Sequence, residues 1–243
     1  MKRRSFLQYS VVTLLLLNAC KPEILNSADV GEKVLSLEFL STPAANQQTP
    51  TGLVVCLHGW GSNAQDLVSV TPQLNLDKYQ FLFPNGPFPH PNVRGGQAWY
   101  ALQNQDFQGL AESRQRLTQF LKDLESTTGV PLSRTFLSGF SQGGAMTLDV
   151  GLGLPLAGLV VFSGYLHAEP QPSPAGYPPV LIMHGRQDQV VPLGAAKRAQ
   201  MALKALGVSV DYHEFDLGHW IIPEEMALMR RFILTHGASD ASS

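Results

Sequence analysis

The chain has 243 residues, 44% of them apolar and 15% charged, with a formal net charge of -2. That length supplies one sizeable core without requiring a second domain, and the near-neutral charge gives no field to gather polyanions, which argues against a nucleic-acid partner. The two cysteines, Cys20 and Cys56, form no CxxC pair and so imply neither a disulfide framework nor a metal cluster.

Lys2, Arg3 and Arg4 precede an apolar run from Val11 to Leu17. These match the basic and hydrophobic regions of a secretory signal, and the run is too short for a membrane-spanning helix. Arg3-Arg4-Ser5-Phe6-Leu7-Gln8 resembles the twin-arginine export motif, with Lys2 and Gln8 in place of its usual flanking residues. Leu17-Asn18-Ala19-Cys20 resembles a bacterial lipobox, in which Asn18 is the departure. The sequence therefore predicts a signal segment over 1–20 with Cys20 as a lipid anchor, followed by a polar tether over 21–31. A plain cleaved signal with a coincidental cysteine is the competing reading. Either way the protein works outside the cytoplasm, periplasmic or extracellular, and the anchored form would associate with a membrane.

From residue 32 to 236, short β-like runs alternate with helical stretches, the pattern of an α/β fold with a mostly parallel, doubly wound sheet. Val34 to Phe39 alternates apolar and polar residues and reads as an edge strand, whereas Leu53 to Leu57 and Thr135 to Ser138 read as buried central strands. Cys56 falls inside the first of these as a small hydrophobe. Further strands are predicted at Tyr79 to Phe83, Leu159 to Phe162, Val180 to Met183 and Ser209 to Phe215. Phe107, Leu110, Leu117, Phe120, Leu121 and Leu124 recur at helical spacing until Gly129 and Pro131 end the pattern. Helices are also expected at Ala64 to Val70, Gln142 to Gly151, Gly194 to Leu206 and Pro223 to His236, with a frayed tail over 237–243. Pro84 to Gly96 and Glu169 to Pro179 are rich in proline and glycine and have no period. They read as long loops rimming a binding site, too short to fold as a cap domain.

Gly139-Phe140-Ser141-Gln142-Gly143 joins a predicted strand to a predicted helix, the setting of a nucleophile elbow. A tight turn there exposes the Ser141 hydroxyl at a helix N-terminus, where the Gln142 N–H can donate to a developing oxyanion. Serine needs a base to take its proton, so a carboxylate and a histidine should follow in that order. Asp188 comes after the strand at Val180 to Met183, and His219 lies in Leu217-Gly218-His219-Trp220 beyond the last strand; open parallel sheets place their sites at such strand ends. Asp216, close to His219 in sequence, is the rival acid. Of the seven histidines, His184 reads as a structural group of its own loop and His58 as an organiser of the loop after Leu57. His213 occupies a strand and His236 a helix end, while His90 and His167 read as rim residues, in solvent or, as the competing reading, in contact with substrate. Asp66, Asp149 and Asp211 read as caps, surface groups or turn residues. The second oxyanion donor is expected from Leu57-His58-Gly59-Trp60-Gly61, with Trp60 N–H as the choice; its ring either lines the acyl pocket or simply packs. No HExxH or comparable metal-ligand spacing occurs.

With these motifs in place, residues 32 to 236 resemble the phospholipase/carboxylesterase family, which includes acyl-protein thioesterases and small bacterial carboxylesterases. The resemblance rests on Leu57-His58-Gly59-Trp60-Gly61, Gly139-Phe140-Ser141-Gln142-Gly143-Gly144, Ser163-Gly164-Tyr165-Leu166, His184-Gly185 with Asp188 and Val191-Pro192, and Gly218-His219. It implies an α/β-hydrolase fold without a large lid, a triad of Ser141, Asp188 and His219, oxyanion donors at Trp60 and Gln142, and no metal or organic cofactor. It also implies a substrate pocket shaped by Trp99, Tyr100 and Leu166, although Ala101 stands where the family usually has an aspartate. The expected activity is hydrolysis of carboxylic esters or thioesters of small to medium acyl groups, lysophospholipids among them, through an acyl-enzyme. Competing readings are an exported depolymerase or an acyl-xylan or feruloyl-type esterase and, from another class, a non-catalytic surface lipoprotein that keeps the fold. A relative of dienelactone hydrolase is disfavoured because the elbow carries serine, not cysteine.

Overall fold

The computed structural model describes residues 37–45, 49–69, 71–102 and 107–237. The signal segment, the tether and Cys20 lie outside the described residues. Apolar runs such as Leu53-Val54-Val55-Cys56-Leu57 can be buried only where both faces of a sheet are covered, and that is their position here. Val55 and Leu57 point into one core with α2 (Leu110–Thr128), α3 (Gln142–Gly151) and α4 (Leu193–Ala205), while Val54 and Cys56 point into a second core with α5 (Pro223–His236) and the short α1 (Ala64–Val68). Burial pushes the Cys56 thiol up to about 12, in keeping with an inert apolar filler.

The sheet has seven strands. β1 (Phe39–Thr42) pairs antiparallel with β3 (Tyr79–Pro84), and the rest run parallel in the order β3, β2 (Gly52–Leu57), β6 (Thr135–Phe140), β7 (Gly158–Phe162), β8 (Val180–Gly185) and β9 (Val210–Phe215). A separate two-stranded ribbon joins β4 (Phe88–Pro89) to β5 (Gln97–Ala98). Each central strand therefore delivers its C-terminal loop to one edge of the sheet, the edge that carries Ser141.

Four expectations are corrected. Among the described residues the edge strand begins at Phe39, the first residue opposite β3, while residues 34–36 of the expected strand lie outside them; its inward positions include the polar Ser41, which receives the Gln80 side chain at 2.9 Å. Helix α2 starts at Leu110 because Phe107 and Gly109 both have positive φ, which a right-handed helix cannot contain. The segment from Pro84 to Gly96 is not all loop, since it contributes β4. The loop from Glu169 to Pro179 does not stay at the site. Parallel pairing of β7 with β8 requires it to return to the opposite edge, where Ser173 and Ala175 to Pro179 line a groove with Leu152 to Ala157 and His236.

Candidate active site

Ser141 stands between β6 and α3 with φ 55° and ψ -115°. A non-glycine residue in that region stores strain of order 1–3 kcal/mol, which surrounding packing must hold. The packing is dense: a Cβ on Gly139 would sit 2.2 Å from Gly143 O, and one on Gly143 would sit 2.3 Å from Leu57 O. The elbow thus closes only with glycine at both places, and it presses α3 against the end of β2.

His219 Nε2 lies 2.9 Å from Ser141 Oγ, and His219 Nδ1 lies 2.7 Å from Asp188 Oδ2. The carboxylate can only accept, so Nδ1 carries the proton and the Nε2 lone pair faces the serine hydroxyl. The other carboxylate oxygen, Asp188 Oδ1, accepts the amides of Val190 at 2.9 Å and Val191 at 2.8 Å. Burial by itself would raise the Asp188 carboxyl, but His219 and these two amides outweigh it and leave it below the usual carboxylate range. Phe140 packs against the His219 ring at 4.7 Å between centroids. The rival acid Asp216 is instead an exposed partner of Arg186, 2.8 Å from its Nη1. His184, fully buried, donates through Nε2 to Val191 O at 2.8 Å and so braces the Asp188 loop.

The loop leaving β2 lies against the elbow, since a Cβ on Gly59 would come 3.5 Å from Ser141 Cβ. Gly61 N–H donates to Gln97 O and Ser62 N–H to Gly59 O. Among the described residues, no backbone carbonyl accepts the Trp60 or Gln142 amide. His58 is buried in this loop, its Nδ1 2.8 Å from Gly59 O and its Nε2 accepting Gly86 N–H at 2.9 Å. Burial lowers its pKa to about 4, which keeps the ring neutral and both bonds intact. The Trp60 ring is partly exposed and meets His90 edge to face at 4.7 Å.

Trp99 and Tyr100 differ from the sequence expectation. Both side chains are fully buried, so neither offers surface to a substrate. They hold the site from beneath. Trp99 N–H donates to Gln142 Oε1 and Gln142 Nε2 donates to Tyr100 O, each at 2.8 Å, while the Trp99 indole N–H donates to His58 O at 3.0 Å. One tryptophan is thereby tied to both loops that present the Trp60 and Gln142 amides. Leu166 is half-buried against the core.

His167 is not the solvent-exposed rim residue expected. Its side chain is 2% exposed, enclosed by the rings of Tyr100, Phe107 and Tyr165, with Nδ1 3.4 Å from Asp149 Oδ2. Asp149, in turn, is no surface group but pairs through both oxygens with Arg114 of α2. No local pattern signals this cluster, because its members lie on two helices and a loop, each unremarkable alone.

A mostly parallel sheet with a strained serine at a strand-to-helix turn, hydrogen-bonded to a histidine and a carboxylate from later loops, defines an α/β hydrolase of the serine type. A sequence profile of the Phospholipase/Carboxylesterase family matches residues 42–237, and the chain belongs to that family. It is 28% identical over 219 residues to acyl-protein thioesterase 1 of Gibberella zeae, spanning 79% of this chain and 92% of that protein. It is 32% identical over 205 residues to a protein called a probable carboxylesterase from Oryza sativa subsp. japonica, spanning 75% and 87%. Among solved structures, esterase PE8 superposes with a TM-score of 0.73 at 31% identity, covering 80% of this chain and 96% of that one. The Bacillus cereus carboxylesterase, at 16% identity and a TM-score of 0.71 over 82% and 94%, shows the shared fold.

Proposed function

We propose that Ser141 is the nucleophile, His219 the general base and Asp188 the residue that orients it, in an enzyme hydrolysing carboxylic esters or thioesters. The observation that carries this reading is the continuous hydrogen-bonded line from Ser141 Oγ through His219 to Asp188. Ser141 Oγ attacks the acyl carbon while its proton passes to His219 Nε2; the Trp60 and Gln142 amides take the oxyanion, and Asp188 steadies the imidazolium. His219 then returns the proton to the departing alcohol or thiol. Water attacks the acyl-serine by the same route and releases the carboxylic acid.

The complete line of three residues weighs against a non-catalytic lipoprotein. Substrates are small to medium acyl esters or thioesters, lysophospholipids included. The test is a rate survey over esters and thioesters of graded chain length. Ser141→Ala should lower turnover by about 10⁴- to 10⁶-fold and lose labelling by a fluorophosphonate, whereas wild-type-like turnover in that variant defeats the assignment.

Export and anchoring belong to the same reading. The Lys2-Arg3-Arg4 start, the apolar run to Leu17 and the Leu17-Asn18-Ala19-Cys20 sequence support a cleaved signal and a lipid-modified Cys20. A fatty-acid label found in the full chain and lost in Cys20→Ser is the expected result.

A further inference from the structure

We infer that the edge of the sheet carrying Ser141 docks on a lipid bilayer, so that the enzyme takes acyl amphiphiles presented at that surface. This rests on the hydrolase reading for its substrate and on the anchor reading for its tether, but its contact surface is independent of both.

The first observation is where the large exposed apolar side chains lie. Among the described residues these are Val93, Leu102, Val190, Trp220, Met201 and Leu234, and the first four belong to or adjoin the loops that carry the site residues. Trp220, 57% exposed, follows His219, and Val190, 67% exposed, lies two residues after Asp188. Val93, 46% exposed, abuts the Trp60 loop, for a Cβ on Gly61 would come 3.5 Å from its Cγ2. Leu102, 39% exposed, follows the buried pair Trp99 and Tyr100. Exposed apolar side chains gathered on the loops of a site mark a binding surface, and an exposed tryptophan suits the headgroup level of a bilayer.

The second observation is where the chain outside the structure joins the fold. Phe39 pairs with Pro84, the last residue of β3, so the N-terminal segment enters at the C-terminal edge of the parallel strands. Glu38 O accepts Asn85 N–H at 2.8 Å, and the next amide, Gly86 N–H, is the one bound by His58 of the Trp60 loop. A lipid on Cys20 would therefore hold the protein by the site edge, through 17 residues from Cys20 to Leu37, at most ~60 Å of chain. No helix among the described residues is long and apolar enough to cross a membrane, so the contact is peripheral. One acyl chain binds a bilayer only marginally, and a second contact makes the attachment stable.

The full chain is mixed with vesicles of phosphatidylethanolamine and phosphatidylglycerol whose acyl chains carry a doxyl quencher. Tryptophan fluorescence should be quenched, and Trp220→Phe should remove more than half of that quenching, since Trp99 is buried and Trp60 is only partly exposed. The double variant Val93→Ser/Leu102→Ser should bind vesicles about tenfold more weakly, hydrolyse vesicle-borne lysophospholipid more slowly, and keep wild-type turnover of a soluble acetyl ester. Cys20→Ser should weaken binding yet retain Trp220-dependent quenching at high lipid concentration. No quenching, quenching indifferent to Trp220→Phe, quenching abolished by Cys20→Ser at every lipid concentration, or a dimer burying Trp220 in place of lipid contact would each overturn the proposal. Soluble-ester turnover without quenching removes the docking surface alone. Quenching without any ester turnover removes the catalytic reading and leaves the surface.

Discussion

Asp188 and Asp216 follow the C-terminal ends of the neighbouring strands β8 and β9, yet only Asp188 is shaped to hold an imidazole. Two amides fix its Oδ1 and leave Oδ2 for His219, whereas Asp216 is spent on an exposed pair with Arg186. Asp188→Asn should therefore lower kcat by about 10⁴-fold, while Asp216→Asn should stay within about a factor of two, as exposed ion pairs contribute little. Steady-state kinetics on one soluble ester separates them; the opposite ranking would reassign the acid. Trp99 calls for a subtler test, because its indole N–H holds His58 O and its amide holds the Gln142 side chain. Trp99→Phe keeps a ring in the space and removes one donor. It should lower kcat about tenfold with KM little changed, since loosened oxyanion donors are felt chiefly in the transition state. A raised KM with unchanged kcat would instead return Trp99 to substrate contact. At this scale the hydrogen-bonded line of Ser141, His219 and Asp188 was legible, because each of the three follows a strand in the order that serine chemistry requires. The burial of Trp99, Tyr100 and His167 was not, because a loop has no period from which burial can be read.

The element that sets the chemistry is the β6–α3 turn, and its strength comes from β2 beside it. Gly143 leaves no room for a methyl group against Leu57 O and His58 O. Gly143→Ala should cost about 3 kcal/mol and lower the Tm, with activity falling further than the melt alone would account for, because Ser141 and the Trp60 loop are moved apart. Melting curves paired with fluorophosphonate labelling rates check both parts. The strands β2, β3 and β6 to β9 and the helices α3 and α5 could be placed from apolar or alternating runs and helical periodicity. The start of α2 could not, since it depends on positive φ at Phe107 and Gly109. The ribbon of β4 and β5 was equally hidden: two-residue strands in a proline-rich segment carry no alternation.

For the whole molecule, buried carboxylates set how stability follows pH. Asp188 and Asp149 are held below the usual carboxylate range, Asp149 because His167 and Arg114 outweigh the effect of its burial. Such groups contribute stability above their unfolded pKa of about 3.9, lost as pH falls through the folded value. Glu225 behaves oppositely. Burial raises it to about 7, against the Ile222 amide it accepts, so its contribution is complete below its unfolded value and disappears as pH rises through about 7. Stability should peak between these limits, and Glu225→Gln should flatten the fall between pH 5 and 8, as thermal melts across pH would show. An unchanged slope would place the loss elsewhere. The sequence by itself determined the alternating α/β architecture and the chain order of the serine, carboxylate and histidine, because strand and helix periods and a strand-to-helix glycine turn are local properties. Only the tertiary structure decided which carboxylate meets His219, which aromatics lie beneath the site and to which edge the loop of residues 169–179 returns. Those outcomes depend on sheet order, which brings together residues as far apart in the chain as Ser141 and His219, 78 positions, and no local pattern encodes such an approach.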